Sequence, residues 1–292
     1  MKKIAIITNM PAPYRVALYE LLQNDEKYVD YEFHVIFSAS SESQRDWSVD
    51  LTGIRNYHFL GAKTIDGRNR YDKTQLIISK GVFEVLKKIK PDVVIASEYN
   101  TTALQAFWYC KTKKVPYISM TDGTLFSERN FSKIKKLLRY VVIKGADLCI
   151  ASSTKSMELQ MHYGAKKEKI VIAYLTVDID KYNYKREEYG AENILYVGSL
   201  IYRKGLDLLI EALPLVEKQF KLTIVGNGWE KDGLIKRIAE LSLSNKIVFK
   251  EFLEGEKLLS EYKNNDIFVL PTREDCFGLV INEAMAQSMP VI

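Results

Sequence analysis

The sequence predicts an α/β protein with two domains, each a doubly wound parallel sheet. Short apolar runs rich in Ile and Val alternate with amphipathic stretches, which is typical of βαβ units. The chain has 292 residues, more than one ordinary domain of roughly 100–200 residues needs. The stretch from Asp178 to Glu192 is polar and charged, and the alternation restarts after it. We therefore predict domains over 1–185 and 190–292, joined by a linker.

The elements follow in order along the chain. In the first domain the apolar runs predict strands at 3–8, 33–37, 92–96, 116–120, 148–151 and 170–173, and amphipathic stretches predict helices at 14–23, 74–89, 101–113 and 131–144. In the second domain strands at 193–197, 221–225, 246–249 and 267–270 alternate with helices at 204–217, 230–242, 256–263 and 278–287. The apolar start resembles a secretion signal, but Asn9, Pro11 and Pro13 interrupt it, so we interpret it as a buried first strand.

Composition narrows the class of protein. Hydrophobic residues make up 47% of the chain, yet no apolar run approaches the ~20 residues of a membrane span. The three cysteines are odd in number and lack metal-like spacing, which favours reduced thiols and a cytoplasmic protein. Residues 1–190 carry a net charge of +8 and residues 191–292 one of −3, which indicates different partners for the two halves. For any single lysine cluster, a solvated surface is the alternative.

Loops at the carboxyl ends of the predicted strands are the places to look for a ligand, because doubly wound sheets bind ligands there. In the second domain, Gly198 permits close backbone approach, and Arg203 and Lys204 stand before a helix N-terminus. Cations normally avoid that end of a helix, so two of them indicate an anionic ligand. Two solvated side chains are the alternative interpretation.

The last of these loops supplies acidic residues. Asp275 precedes the final helix and Glu283 lies within it, and carboxylates can accept hydrogen bonds from sugar hydroxyls. The backbone amides of Phe277, Gly278 and Leu279 can hold phosphate oxygens. In the alternative interpretation Asp275 is only a helix N-cap and Glu283 faces solvent.

Several motifs together resemble the family 4 glycosyltransferase signature. They are VGSL at 197–200, RKGLDLLIEA at 203–212, VGNG at 225–228, DIFVLPT at 266–272 and DCFGLVINEAMA at 275–286. The resemblance covers most of the chain, weakly before residue 140 and strongly after 193. It implies the GT-B architecture, with the acceptor domain first, the nucleotide-sugar domain second and catalysis in the cleft between them.

The resemblance also implies roles for individual residues. Lys204 should hold the donor diphosphate, Asp275 should contact the donor sugar as the first acid of a Glu-x7-Glu motif, and Glu283 should bind the ribose. The motif normally begins with Glu, so Glu274 is an alternative first acid. The arginine that often follows Gly198 is Ser199 here, which moves that role to Arg203. The implied donor site comprises Gly198, Arg203, Lys204, Gly226, Phe277, Gly278, Leu279 and Glu283.

Catalytic candidates are Asp275, Glu274 and Asp122, the last standing where many members carry a histidine. No metal or tightly bound cofactor is expected, and the nucleoside diphosphate sugar is a co-substrate. Three other features could be mistaken for functional sites. Asp178-Ile179-Asp180 resembles a metal-binding pair but lies at the linker, VGNG lacks the third glycine of a dinucleotide fingerprint, and the three histidines are scattered.

The expected reaction is transfer of a sugar, with retention, to an acceptor hydroxyl in polysaccharide or glycolipid biosynthesis. The acceptor would be a saccharide or a lipid-linked molecule, and no nucleic-acid partner is expected. The basic amphipathic stretch 131–142 fits a helix near an anionic membrane surface, which would place the protein on the inner face of the membrane, or a helix packed on the sheet. Alternatives are a nucleotide-sugar epimerase of the same architecture and a non-catalytic remnant, because the second domain is expected to be incomplete at Ile292.

Overall fold

The computed structural model describes residues 1–40, 49–68, 73–187 and 190–292. The chain forms two compact units, one of residues 1–67 with 73–175 and one of residues 176–292. Each unit is built around its own parallel sheet and its own apolar core. The α/β prediction with parallel sheets therefore holds for both units.

The first unit contains a seven-stranded sheet in the order β3-β2-β1-β6-β7-β8-β9, all parallel. Its strands are β1 (Lys2–Thr8), β2 (Tyr31–Phe37), β3 (Tyr57–Phe59), β6 (Val93–Ser97), β7 (Tyr117–Thr121), β8 (Leu148–Ala151) and β9 (Ile170–Ile172). Its helices are α1 (Pro13–Asn24), α2 (Val82–Ile89), α3 (Thr101–Lys113), α4 (Lys133–Gly145) and α5 (Thr154–His162). The N-terminal apolar run is thus an inner strand of the sheet, as predicted.

The helix predicted over 74–89 is wrong in its first half. That half forms β5 (Lys73–Lys80), which pairs with β4 (Gly61–Arg68) in a separate two-stranded sheet. Burial alternates along β5, with Ile77 and Ser79 buried and Ile78 exposed, as the two-residue period of a strand requires. Gly81, at φ 90°, turns the chain into α2. The strands β3 and β4 were not predicted, because the region between 38 and 73 has no long apolar run.

Helix α4 carries apolar residues on two faces. Val142 and Ile143 are buried against the unit. Ile134, Leu137 and Val141 are exposed, by 72%, 60% and 36% respectively. Helix α4 therefore packs on the first unit along one face and exposes a second row of apolar side chains to solvent.

The second unit contains a four-stranded parallel sheet in the order β12-β11-β10-β13. Its strands are β10 (Asn193–Val197), β11 (Lys221–Val225), β12 (Ile247–Lys250) and β13 (Ile267–Phe268). Its helices are α6 (Ile179–Tyr182), α7 (Leu206–Ala212), α8 (Lys231–Glu240), α9 (Gly255–Asn264) and α10 (Leu279–Ala286). Phe268, the last residue of β13, also forms a parallel bridge with Val291.

The second unit includes residues on both sides of the predicted domain boundary. The second unit begins at Thr176, because the segment interpreted as a linker packs onto that unit. The ring of Tyr182 meets that of Tyr262 edge to face, 6.4 Å apart. The Arg186 guanidinium donates to the backbone carbonyls of Gln287 and Tyr262. A polar composition therefore marked a segment that is anchored by side chains, not a free linker.

Two of the features that could be mistaken for functional sites, the Asp178–Asp180 pair and the histidines, have structural roles. The Asp178 carboxylate caps α6 by accepting a hydrogen bond from the Lys181 amide at 3.3 Å. His34 is almost buried, stacks on His58, and hydrogen-bonds to Glu32 at 2.8 Å between Nε2 and Oε1. Within the described ranges, no helix combines the length and apolar character that crossing a bilayer requires.

Candidate functional site

The candidate site lies at the carboxyl edge of the sheet in the second unit. The loops after β10, β11 and β13 all leave this edge, because the three strands are parallel. Two backbone hydrogen bonds join the first two loops: the Gly198 amide donates to Val225 at 3.0 Å and the Leu200 amide to Asn227 at 2.8 Å. The sequence motifs in these loops therefore meet at one edge.

Two glycines allow the loops to approach each other. Gly226 has φ 142°, and a Cβ there would stand 2.1 Å from the carbonyl oxygen of Gly198. Gly205 has φ 68°, and a Cβ there would stand 2.0 Å from the carbonyl oxygen of Pro271. Contacts this short exclude any side chain at either position. These glycines set the spacing of the loops.

Two cations from the loop after β10 reach the loop after β13. Lys204 Nζ forms an ion pair with the Asp275 carboxylate, and the two side chains are only 14% and 21% exposed. Arg203 Nη1 donates to the carbonyl oxygen of Glu274 at 2.9 Å. Each of the two predicted cations therefore contacts one of the two predicted acidic residues, Lys204 at the carboxylate of Asp275 and Arg203 at the backbone carbonyl of Glu274. Asp275 is an ion-pair partner, and the helix that follows is capped instead by Gly278.

Arg273 links the same two loops from a position that the sequence did not reveal. Its guanidinium forms a two-point ion pair with Asp207, with both N–O distances 2.6 Å, and donates to the Tyr202 carbonyl at 2.7 Å. Its backbone amide donates to the Arg203 carbonyl at 2.9 Å. The hydrogen bonds from Arg273 lower the pKa of Asp207. We call this set of contacts the Arg273 clamp.

The N-terminus of α10 faces this edge of the sheet. Gly278, at φ 82°, precedes the first helical residue, Leu279. Among the described residues, no side chain caps this terminus. The first amides of a helix and its positive dipole end favour an anion, so the predicted phosphate role of Phe277, Gly278 and Leu279 is compatible with the local geometry.

Glu283 does not face open solvent. Its Oε2 accepts a hydrogen bond from the Tyr262 hydroxyl at 2.8 Å, and the ring of Tyr182 packs against that of Tyr262. Burial raises the pKa of Glu283 above its ordinary value, although Tyr262, Tyr182 and Lys181 act in the opposite direction. A carboxylate held by the Tyr262 hydroxyl is preorganised and retains acceptor capacity for a ligand hydroxyl.

Glu283→Gln should stabilise the protein at neutral pH. Because the folded pKa is raised, the folded state binds a proton more tightly than the unfolded state, and stability falls as pH rises from about 4.5 through the folded pKa. Gln keeps the acceptor oxygen and the shape but carries no charge to desolvate. We expect a higher thermal midpoint at pH 7 and a flatter pH profile, measured by circular dichroism.

The matched control for this substitution is Glu256→Gln, which changes an exposed residue of α9. A midpoint for Glu283→Gln at or below that of the wild type at pH 7 would contradict the prediction. In that case the hydrogen bond from Tyr262 to the ionised form of Glu283 outweighs the cost of desolvating its charge.

Asp122 belongs to the first unit, just after β7. Burial lowers the pKa of Arg15, but Tyr19, Tyr14 and, with the smallest effect, Asp122 raise it, and the net shift is upward. The other predicted site residues lie in the second unit. Asp122 is thus within electrostatic reach of Arg15, a residue that the sequence analysis did not select.

Comparison with known proteins gives the family. The glycosyltransferase family 4 profile matches residues 18–181, and the profile of glycosyl transferases group 1 matches residues 179–292. An uncharacterized glycosyltransferase of Methanocaldococcus jannaschii is 36% identical over 203 residues, which are 63% of this chain and 52% of that protein. The sulfoquinovosyl transferase of Arabidopsis thaliana is 24% identical over 259 residues, 80% of this chain and 50% of that protein. The chain thus spans about half the length of these relatives.

Solved structures confirm the fold. The Anabaena protein HepE, in complex with UDP, superposes with a TM-score of 0.77 at 17% identity, covering 100% of this chain and 80% of that one. A Listeria monocytogenes protein described as a UDP-N-acetylglucosamine 2-epimerase reaches 0.61 at 13% identity, covering 100% and 78%. With parallel sheets flanked by helices in each unit, these likenesses establish the predicted α/β GT-B fold. On the two matched profiles, which together extend from residue 18 to 292, the chain belongs to glycosyltransferase family 4.

Proposed function

We propose that the chain transfers a sugar from a nucleoside diphosphate sugar to an acceptor hydroxyl, with retention of configuration. The observation that carries the proposal is the ion pair between Lys204 and Asp275 beside the N-terminus of α10. It puts a cation for a diphosphate and an acceptor for sugar hydroxyls at one point. The second unit would bind the donor, and the first unit, with Asp122 as its candidate residue, would bind the acceptor.

The donor site would work by electrostatics. A leaving diphosphate gains negative charge as the sugar departs, so fixed positive groups lower the barrier most. Lys204, Arg203 and the amides of Gly278 and Leu279 would supply them. Gly198 and Gly226 would let the backbone approach the phosphates, and Glu283 would accept from the ribose hydroxyls. Neither a bound metal nor a cofactor is part of this proposal.

The Lys204–Asp275 pair suggests an exchange of partners on donor binding. Without a ligand, the two charges neutralise each other in a partly buried position. A diphosphate would compete with Asp275 for the ammonium group. The released carboxylate could then accept hydrogen bonds from the sugar. Asp275 would thus become available to the sugar only after the phosphates have bound to Lys204.

Asp275→Asn should therefore separate nucleotide binding from sugar binding. Because the competing charge is removed, we expect free UDP to bind several-fold more tightly, whereas UDP-glucose should lose any advantage that its sugar provides. Titration calorimetry with both compounds measures this. Glu274→Gln is the matched control, since the Glu274 contact with Arg203 uses its backbone carbonyl. If Glu274→Gln and not Asp275→Asn removes the contribution of the sugar, the first acid of the motif is Glu274.

The acceptor remains a class: a saccharide or lipid-linked hydroxyl, in polysaccharide or glycolipid biosynthesis. A product assay tests the proposed reaction directly. The chain would be incubated with UDP-glucose or UDP-N-acetylglucosamine and a panel of acceptors, and UDP release and the anomeric configuration of the product would be followed by NMR. An epimerase would instead change the configuration of the donor sugar. Tight UDP binding with neither result would indicate a non-catalytic binding protein.

A further inference from the structure

Helix α4 presents an apolar stripe to the outside of the first unit. Ile134, Leu137 and Val141 lie at positions i, i+3 and i+7, so they share one face of the helix. Ile134 is 72% exposed and Leu137 is 60% exposed. Single exposed apolar residues are common, but a continuous stripe on one helix is not. Leu125 and Phe126, in the loop before α4, are also exposed.

The opposite face anchors α4. Val142 and Ile143 are buried in the unit. Arg139 pairs with the buried Glu128 at 2.7 Å between Nε and Oε1, and its guanidinium lies over the Tyr99 and Phe131 rings. The orientation of the helix is therefore fixed by packing and by an ion pair. The outward stripe is a stable feature of the surface.

The charged residues of helix α4 are all of one sign. Helix α4 contains five basic residues and no acidic one. Lys133 and Lys144 are exposed near its two ends, and Lys144 Nζ donates to the Tyr140 hydroxyl at 2.6 Å. The stripe thus lies between cations whose long apolar stems can extend alongside it.

We propose that the α4 stripe docks on the surface of an anionic lipid bilayer. An apolar helix face bordered by lysines matches the boundary between acyl chains and acidic headgroups, where both parts are satisfied together. A second copy of the chain is disfavoured as the occupant, because a two-fold contact would bring the same basic face against itself. The inference does not depend on the proposed transfer reaction.

Vesicle co-sedimentation tests the inference on the full chain. One set of vesicles is phosphatidylcholine alone and the other is an equal mixture of phosphatidylcholine and phosphatidylglycerol. We expect binding to the mixed vesicles, weakened by added salt, and little binding to the neutral ones. The double variant Ile134→Ser/Leu137→Ser should bind the mixed vesicles at least about tenfold more weakly, because apolar area drives insertion. The variant Lys133→Gln/Lys144→Gln should bind more weakly and show a smaller salt effect.

The matched control is Leu215→Ser/Lys218→Gln, which removes one exposed apolar and one exposed basic residue from the second unit. It should bind as the wild type does. Circular dichroism would confirm that every variant folds, as expected for exposed positions. Absence of binding to the mixed vesicles, equal binding to both vesicle types, or wild-type binding by the serine variant would overturn the proposal. The proposal would also be overturned if the wild type formed a dimer in sedimentation equilibrium and the serine variant were a monomer. A second copy of the chain would then be the occupant of the stripe.

Discussion

Lys204→Ala should weaken UDP binding about ten- to a hundredfold. A charge-assisted hydrogen bond contributes about 1.5–3 kcal/mol, and each 1.4 kcal/mol is a factor of about ten in affinity. The substitution also leaves Asp275 without its cation, so that a carboxylate would repel the incoming phosphates. Both effects act in the same direction. Titration calorimetry with UDP measures their sum.

The double variant Lys204→Ala/Asp275→Ala separates the two effects, because it removes the repulsive charge as well. Its affinity for UDP should lie between those of Lys204→Ala and the wild type. Lys218→Ala, at an exposed position of the same unit, is the matched control and should leave the affinity unchanged. Wild-type affinity for Lys204→Ala, with the fold intact by circular dichroism, would remove Lys204 from the donor site.

Gly226→Ala should destabilise the second unit by on the order of 3–5 kcal/mol. The φ of 142° is unfavourable for any residue with a Cβ, and that Cβ would stand 2.1 Å from the Gly198 carbonyl oxygen. Relief requires the loops after β10 and β11 to move apart, which breaks the hydrogen bonds between them. Such a loss is a large share of the 5–15 kcal/mol that typically stabilises a protein. Thermal and urea unfolding measure it.

Gly233→Ala is the control for the same chemical change. Gly233 lies in α8, and within 4 Å a Cβ there would meet no described atom outside its chain neighbours and the adjacent backbone of its own helix. That variant should gain roughly 0.5–1 kcal/mol, since alanine favours a helix more than glycine does. Equal unfolding midpoints for the two variants would show that the backbone at Gly226 can relax without cost.

Prediction from the sequence worked best where a local pattern decided the structure. The strand 193–197 and the helix 101–113 were predicted with correct bounds, because a short apolar run and a long amphipathic stretch each imply a distinct period. It failed at 74–80, where only Gly81 separates a strand from the helix that follows, so that the two apolar stretches together imitate one helical pattern. The Arg273 clamp was out of reach, because Arg273 and Asp207 are 66 positions apart and only tertiary structure brings them together.

The same limit applies to the candidate site. The motifs identified Lys204, Asp275 and Glu283, and the structure brings the first two into contact. The sequence did not reveal that Tyr262 of α9 holds Glu283, or that Tyr182 of α6 packs against Tyr262. Tyr182 lies in a segment whose composition indicated a linker, and Tyr262 occurs in a helix whose pattern predicts only core packing. Hydrogen-bond partners depend on side-chain placement, which periodicity does not encode.

The Arg273 clamp bears on how this site could be exchanged between relatives. Segments 202–207 and 272–275 contact each other through carbonyl, amide and guanidinium groups, although nearly 70 residues separate them in the chain. A chimera that receives only one of the two segments from another protein would lose the contacts that its own two segments make with each other. We therefore expect recombination within this unit to succeed when both segments come from one parent. In directed evolution, segments 202–207 and 272–275 are best varied together.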